Sequence, residues 1–534
     1  MKPVMLKAVR ISVYDTTLRD GTQREGISLS AIDKIHIARL LDGLGVDFIE
    51  LGWPGSNPKD AEAFERARDV EWTAKIAAFG STRRAGTTSE DDPQVAALLA
   101  TGAPVCTIFG KASLIHVREV LRISPEENLR MIAETVGYLV ASGRRVVYDA
   151  EHFFDGYRAD PHFAMEAVQA AAFAGAEAVV LCDSNGGSLP WEVEQAVGAV
   201  VEGVRVAIGI HTHDDTGCGV ANALAAVRAG ATQLQGTMNG YGERCGNANL
   251  STLIPTLELK MGRRCLRDGA LAELTRIARQ VAEIANLAPD AHAPYVGRSA
   301  FAHKAGVHVA AIRRHPRAYE HVDPALVGNR TRIVVSELSG RGNVLAKAEE
   351  FRVELEAGAE SAVLRGVKEL ESRGYAFESA EASVALLMRR QSPNYAPPFE
   401  LVDYKVMVHQ RPGDPSYADA AIKVRVRGEI VHTAAEGNGP VSALDGALRK
   451  ALSVAYPEVK GIHLEDYKVR ILDGVEGTAS PVRVLVESGY GDERWTTVGA
   501  SSNVIEASWL ALADGIEYGL GVACAVRDAE KGAA

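Results

Sequence analysis

The sequence predicts an α/β protein built on a (β/α)8 TIM barrel, and three observations carry that prediction. Eight short, β-rich apolar runs fall within the first 260 residues, amphipathic helical stretches separate them, and polar residues stand just past the end of the runs. Eight strands alternating with helices over roughly 250 residues suit such a barrel. A doubly wound sheet is the alternative, but no GxGxxG follows the first run, where a dinucleotide-binding turn would require it.

The runs are ISVYD from Ile11, FIELG from Phe48, KIAAFG from Lys75, VCTIFG from Val105, RVVYDAE from Arg145, AVVLCDS from Ala178, RVAIGIH from Arg205 and QLQGTMN from Gln233. Between them lie helical patterns such as AIDKIHIARLLDGLG, from Ala31 to Gly45, and NLRMIAETVGYLVASG, from Asn128 to Gly143. The second closes on a glycine, as a helix C-cap does. The barrel is expected over residues 1–285, and NLAPDAHAPYVG then reads as a linker. Residues 286–397 form linker and mainly helical subdomains, and QSPNYAPPF is a second, proline-bearing linker. Residues 398–522 then turn β-rich as an α+β domain, with two strand-then-helix units of about sixty residues repeated in tandem, and 523–534 form a tail.

At 534 residues the chain is too long for one simple core. A net charge of -11 without a long basic run argues against nucleic acid as a partner. Lys2, Lys7 and Arg10 interrupt the N-terminal apolar residues, so no signal-peptide core is expected. No uncharged stretch approaches membrane-spanning length, and the expected location is cytoplasmic. Six irregularly spaced cysteines without a CxxC indicate neither a zinc knuckle nor a disulfide framework.

In a (β/α)8 barrel the active site is built where the strands end. The first run leads into TTLRDGTQ, the second ends at Glu50, the fifth at Asp149 and Glu151, the sixth at Asp183 and Ser184, the seventh at His211 and His213, and the eighth at Asn239. All are expected at one mouth. Residues at i and i+2 on a strand point to the same side, so His211 and His213 suit a single cation. Alone, such a pair is more often merely hydrogen-bonded. With Asp20 and Asn247 adding oxygen ligands, the set suits Mg2+, Mn2+ or catalytic Zn2+ with positions left for a chelating substrate.

DTTLRDGTQ (Asp15 to Gln23), IELGWP (Ile49 to Pro54), HTHDDTGCGVANALAAVRAGA (His211 to Ala231) and NGYGERCGNANL (Asn239 to Leu250) resemble the 2-isopropylmalate, homocitrate and citramalate synthase family. VYDAEHFFDG (Val147 to Gly156) and FAHKAGVHVAAI (Phe301 to Ile312) look most like its citramalate branch. The resemblance implies a Claisen-type condensation of acetyl-CoA with a 2-oxo acid, followed by thioester hydrolysis. For the citramalate branch it implies pyruvate as the oxo acid, a place in isoleucine synthesis and isoleucine as effector. A sister synthase using another oxo acid, a lyase of the hydroxymethylglutaryl-CoA type and a non-catalytic amino-acid sensor are the alternatives.

By the same resemblance, Asp20, His211, His213 and Asn247 ligate the cation. Arg19 stabilises the developing alkoxide, a task suited to a fixed guanidinium, and Glu50 holds it in place. Ser184 stands where the family usually has a threonine reaching the oxo-acid carboxylate, and Gln23, Tyr148 and Asp149 join it in the expected substrate-binding group. Tyr148, Phe109 and Phe153 are candidates for narrowing the pocket. Glu151 is expected as acid, base or positioning group. His308 is the expected enolising base, acting across an obligate homodimer from a helical lever. His152 and Asp214 depart from the Asp and Asn that relatives often carry, and Thr331 lies near a position where some relatives place a catalytic tyrosine. The C-terminal repeat resembles a regulatory domain that binds the end-product amino acid. GNGPV and GASSNVIEAS offer it helix N-termini, although plain helix capping explains them as well.

Overall fold

The computed structural model describes residues 9–356, 358–392, 395–413, 415–473 and 477–532. Residues 1–8 and 533–534, on which parts of the N-terminal and tail expectations rest, and two residues of the second linker lie outside that set. Two compact units emerge, one running to Phe301 and including Val322–Arg330, the other holding Ala302–His321 and the chain from Thr331.

In the first unit eight parallel strands close into a barrel: β1 (Ser12–Asp15), β2 (Phe48–Gly52), β3 (Lys75–Ser81), β4 (Val105–Lys111), β5 (Arg145–Glu151), β6 (Ala178–Asp183), β7 (Ala207–Thr212) and β8 (Gln233–Gly236). Pairing of Ser12 with Gln233 and of Asp15 with Gly236 joins β1 to β8 and closes the ring. Each expected run is therefore a strand. The intervening helices begin where the chain supplies caps. Ser30 and Asp33 make a reciprocal capping box at Ala31–Leu44, Asp92 and Ser124 accept backbone N–H groups at their helices, and Gly45 ends the first helix in the left-handed region at φ 93°.

The period of two along each strand sorts side chains into two layers. Tyr14, Phe48, Ala77, Val105, Val147, Ala178, Val180 and Cys182 fill a cluster of their own, while Val146, Tyr148 and Ala150 pack in the larger core with the surrounding helices. The expected linker is not loose. Tyr295, Val296 and Phe301 are buried in that larger core, so apolar side chains bind the segment to the barrel.

The second unit contains helices Gly306–Arg314, Arg341–Glu350, Ala359–Ser372 and Glu381–Arg389. Two three-stranded antiparallel sheets follow: Phe399–His409, Tyr417–Val426 and Glu429–Gly437, then His463–Ile471, Val482–Tyr490 and Glu493–Ser501. Helix Pro440–Leu452 follows the first sheet and helix Val504–Gly532 the second. AAIKVRVRGEIVHTAA is thus two strands joined at Arg427 and Gly428, both at positive φ. Val335, Val344, Phe377 and Val384 share a core cluster with Val498, so the helical segment and the C-terminal domain pack as one body.

The last helix runs through the expected 522/523 boundary. Its Val504–Val526 stretch is long and apolar enough to cross a membrane. Instead, Trp509, Leu512, Ile516 and Leu520 are buried in the cluster that Ala443, Leu444 and Leu448 share, and Asp514 and Glu517 on the same helix are ion-paired with Arg390.

Candidate active site and metal centre

At the C-terminal mouth of the barrel lies a cavity of about 280 Å³ whose lining includes Arg19, Asp20, Gln23, Asp149, Glu151, Ser184, His211 and His213. Eight of the residues expected from sequence therefore meet at one place.

Asp20 is at the centre. His211 Nε2 lies 3.1 Å from its Oδ2 and His213 Nε2 lies 4.0 Å from the same oxygen, and one donor atom from each of the three side chains fits within 4.8 Å of the others. All three residues are buried. Burial opposes ionisation of Asp20, but Arg19, the His211 hydrogen bond and the two imidazoles hold its carboxyl far below the usual carboxylate range. Burial and the neighbouring His211 push His213 down to about 4, leaving a neutral imidazole with a lone pair to offer. This donor set of two imidazoles and a carboxylate fits a divalent cation. Asn247 pairs with His213 through an isolated antiparallel bridge, and its buried Oδ1 and Nδ2 have no hydrogen-bond partner. Its side chain, however, lines an adjoining cavity of about 340 Å³ together with Asp214 and Asn239.

Arg19 Nη1 is 3.5 Å from Asp20 Oδ2, while its Nε donates to Glu50 Oε1 at 2.6 Å. Glu50 does not line the cavity. It lies fully buried beneath it and also accepts from the Tyr14 hydroxyl at 2.8 Å. On the other side, the Arg19 guanidinium lies 3.7 Å from the centroid of Phe79. Phe79 stacks on Phe109 at 5.4 Å, and Trp53 meets both rings edge-on at 5.5 Å. These three rings make an aromatic wall to the cavity. Of it, the sequence singled out Phe109 alone. The signal for Phe79 is its position just before the end of β3, in the same strand layer as Ala77.

Tyr148 and Phe153 correct the expectation. Both are fully buried in the strand–helix core, and neither lines the cavity. The reason for Tyr148 is alternation along β5, which sends Asp149 and Glu151 inward and Tyr148 outward. Nor do all strand ends reach one mouth: Asp183 is used by Ser188, and Asn239 donates to the Ala278 carbonyl.

Asp149 is pushed up to about 7 by burial and by Glu50, with His211 and Arg19 acting in the opposite sense. Ser184 Oγ accepts the backbone N–H of His152 at 2.9 Å, so its own proton is available to another acceptor. His152 sits in the left-handed region at φ 59°, and its ring stacks on His116 with centroids 3.7 Å apart. Lys111, at the end of β4, forms an ion pair with Glu151 that the sequence did not announce. His308 belongs to the second unit, where it stacks on Tyr319 at 4.0 Å; nearby, His303 lies 3.7 Å from Glu320, whose carboxylate also receives the Thr331 hydroxyl.

Comparison with known proteins agrees with this geometry. The HMGL-like family model matches residues 10–281, a homocitrate synthase post-HMGL domain-like model matches 295–375, and the LeuA allosteric (dimerisation) domain matches 378–520. The (R)-citramalate synthase of Geobacter sulfurreducens is 52% identical, over 96% of this chain and 97% of that protein. The (R)-citramalate synthase of a Synechocystis species is 53% identical, also over 96% and 97%. A probable 2-isopropylmalate synthase of Methanopyrus kandleri covers a similar share, 95% of this chain and 98% of its own, at only 32% identity. The chain belongs to the (R)-citramalate synthase family. In this family member, the Asp20, His211 and His213 cluster is a possible metal site whose ion is not specified by its donors.

Proposed function

We propose that the protein condenses acetyl-CoA with pyruvate and hydrolyses the resulting thioester to (R)-citramalate and CoA. The observation that carries this reading is identity above 50% over almost the whole chain to proteins named for that product, joined to a mouth that converges on Asp20, His211 and His213.

A divalent cation, Mg2+, Mn2+ or Zn2+, held by Asp20, His211 and His213 would supply Lewis acidity to a 2-oxo acid chelated through its carboxylate and keto oxygens. Asn247, with its orphaned amide, is the candidate fourth ligand. The Arg19 guanidinium faces the place where negative charge grows on the former keto oxygen, and its bond to Glu50 fixes it there in advance. The Ser184 hydroxyl, its oxygen already receiving the His152 N–H, donates to the substrate carboxylate. Trp53, Phe79 and Phe109 enclose the methyl group of pyruvate.

An acetyl methyl proton is weakly acidic, so its removal needs a well-placed base. His308 takes that role, serving the barrel of a second copy in a homodimer that the LeuA dimerisation domain supports. The enolate carbon then bonds to the keto carbon, the alkoxide gains a proton, and water splits the thioester to release the CoA thiol. Glu151, held by Lys111 at the cavity edge, positions these proton transfers.

The test follows free CoA with a thiol reagent, supplying acetyl-CoA, Mg2+ or Mn2+, and in parallel pyruvate, 2-oxoisovalerate or 2-oxoglutarate. A rate confined largely to pyruvate is expected, lost with a chelator and in Asp20→Ala. Release with 2-oxoisovalerate instead would move the protein to another synthase branch. Isoleucine is the expected inhibitor and leucine the control, placing the enzyme in isoleucine synthesis. Inhibition is measured on the full chain, because truncation near Pro398 would remove Val498 from the core that it shares with the preceding helices.

A further inference from the structure

At the candidate cation site a buried polar chain connects two walls of the barrel. His211 Nδ1 lies 2.9 Å from Gln235 Oε1, and Gln235 Nε2 donates to Asp149 Oδ1 at 3.0 Å. Gln235 is on β8, His211 on β7 and Asp149 on β5, and their exposures are 0%, 5% and 4%. Gln235 is fully buried and does not line the cavity, so the partners of its amide are the ones the fold supplies.

The direction of the chain follows from its far end. Gln235 Nε2 faces Asp149, and an amide NH2 only donates, so Asp149 Oδ1 accepts there whatever the state of its other oxygen. The amide oxygen is thereby turned to His211, and an oxygen there demands that Nδ1 carry the proton. Nε2, 3.1 Å from Asp20 Oδ2, is then the nitrogen whose proton a cation would displace, leaving its lone pair to the metal. Nδ1 of His213, the other imidazole, has no hydrogen-bond partner, so only His211 has its ring orientation dictated from behind.

We infer that Gln235 is a positioning residue for the cation site: anchored by Asp149, it fixes the tautomer and ring orientation of His211 so that Nε2 is presented to the metal. The inference rests on the metal reading of Asp20, His211 and His213. Gln235 touches neither substrate nor cation and acts through His211, as outer partners of metal-bound imidazoles do. The amide, not the volume of the side chain, does this. Methionine is close to glutamine in shape, but its thioether is only a weak acceptor for Nδ1 and has no proton to donate to Asp149.

The decisive measurement is Mn2+ affinity of the full-length protein by calorimetric titration, with no substrate present and with folding checked by circular dichroism. Wild type and Asp20→Asn calibrate the site: binding in the first that is lost in the second identifies the cation with this cluster. Gln235→Met is expected to bind Mn2+ about 10- to 100-fold more weakly. The exchanged pair Gln235→Glu with Asp149→Asn rebuilds the chain with amide and carboxylate interchanged, since the relocated carboxylate then accepts from both His211 and the relocated amide. That double variant is expected to recover affinity to within about threefold of wild type, and it carries the test if Gln235→Met does not fold. Affinity within twofold of wild type in Gln235→Met overturns the inference. So does failure of the folded exchanged pair to recover, which would make the loss one of packing. Absence of any Mn2+ binding that depends on Asp20 in wild type would overturn the metal reading itself, and this inference with it.

Discussion

Arg19 and Glu50 form an ion pair of 2.6 Å at the mouth of the barrel, with side chains 11% and 0% exposed, and the carboxylate takes a second hydrogen bond from Tyr14. Such a pair, largely withdrawn from water, holds the guanidinium in one orientation before any substrate arrives. Replacing Glu50 with Gln preserves shape but removes the charge. The expected result is a fall of about 100-fold in kcat with a smaller change in the KM for pyruvate, of the order found when a preorganised charge-stabilising group is disturbed. Steady-state kinetics check it, and an unchanged kcat would leave Glu50 with no part in orienting Arg19.

The aromatic wall predicts specificity. Phe109 stacks on Phe79 beside the Arg19 guanidinium, and truncating it to Ala opens space next to the substrate's side chain. In Phe109→Ala the ratio of kcat/KM for 2-oxobutyrate to that for pyruvate is expected to rise about tenfold, since one methylene in an apolar pocket discriminates on that scale. If the ratio is unmoved, the methyl group lies elsewhere.

Lys34 and Asp60 form a buried ion pair between helices Ala31–Leu44 and Pro58–Ala67, and Lys34 Nζ also donates to the Leu18 carbonyl at 2.7 Å. Gly52 packs against the Asp60 side chain, whose Oδ2 accepts the Trp53 N–H at 2.8 Å. Lys34→Met leaves that carboxylate without its cation. Denaturant titration is expected to record a loss of about 3–5 kcal/mol, the usual consequence of removing one partner from a buried pair. A loss below about 1 kcal/mol would place the pair in a far more hydrated setting.

The stacked pair His116 and His152 predicts a pH dependence. Burial, with the neighbouring His116 and Lys111, brings His152 to about 4, below its ordinary value, despite the opposing charge of Glu151. The unfolded chain therefore binds the proton more readily than the folded one. The contribution of His152 to stability is fully present above about pH 6.5 and is lost as pH falls towards 4. His152→Asn keeps a residue that tolerates the left-handed conformation at φ 59° and removes the titration. Its unfolding free energy is expected to fall less steeply than that of wild type between pH 6.5 and 5; equal slopes would mean that His152 titrates normally in the fold.

The eight strands were legible because each is a short apolar run bounded by turns and followed by a helix with its own caps. That pattern is local, so it survives in the linear chain. The candidate metal cluster was legible for a related reason: His211 and His213 are two residues apart, and a strand turns such a pair to one side. Asp20 and Glu50 could be added because Asp20 follows β1 and Glu50 stands near the end of β2, and a closed barrel brings strand ends and the loops after them together. The first linker and the tail were less readable, since proline and polar residues mark a break in periodicity but not whether the segment packs. Burial of Tyr295, Val296 and Phe301 in the barrel core is a matter of which surface those side chains meet.

By itself, the sequence determined the barrel, the repeat at the C-terminal end of the chain, the family and the residue types of the candidate cation site, all of which follow from local periodicity and short motifs. The tertiary structure decided which neighbours those residues face. It sent Tyr148 outward and Asp149 inward, set Phe79 against Arg19, paired Lys111 with Glu151, and joined Gln235 to His211 across 24 positions and to Asp149 across 86. No local pattern encodes such contacts, because they exist only once the ring of strands has closed and low dielectric surroundings have made each buried polar atom find a partner.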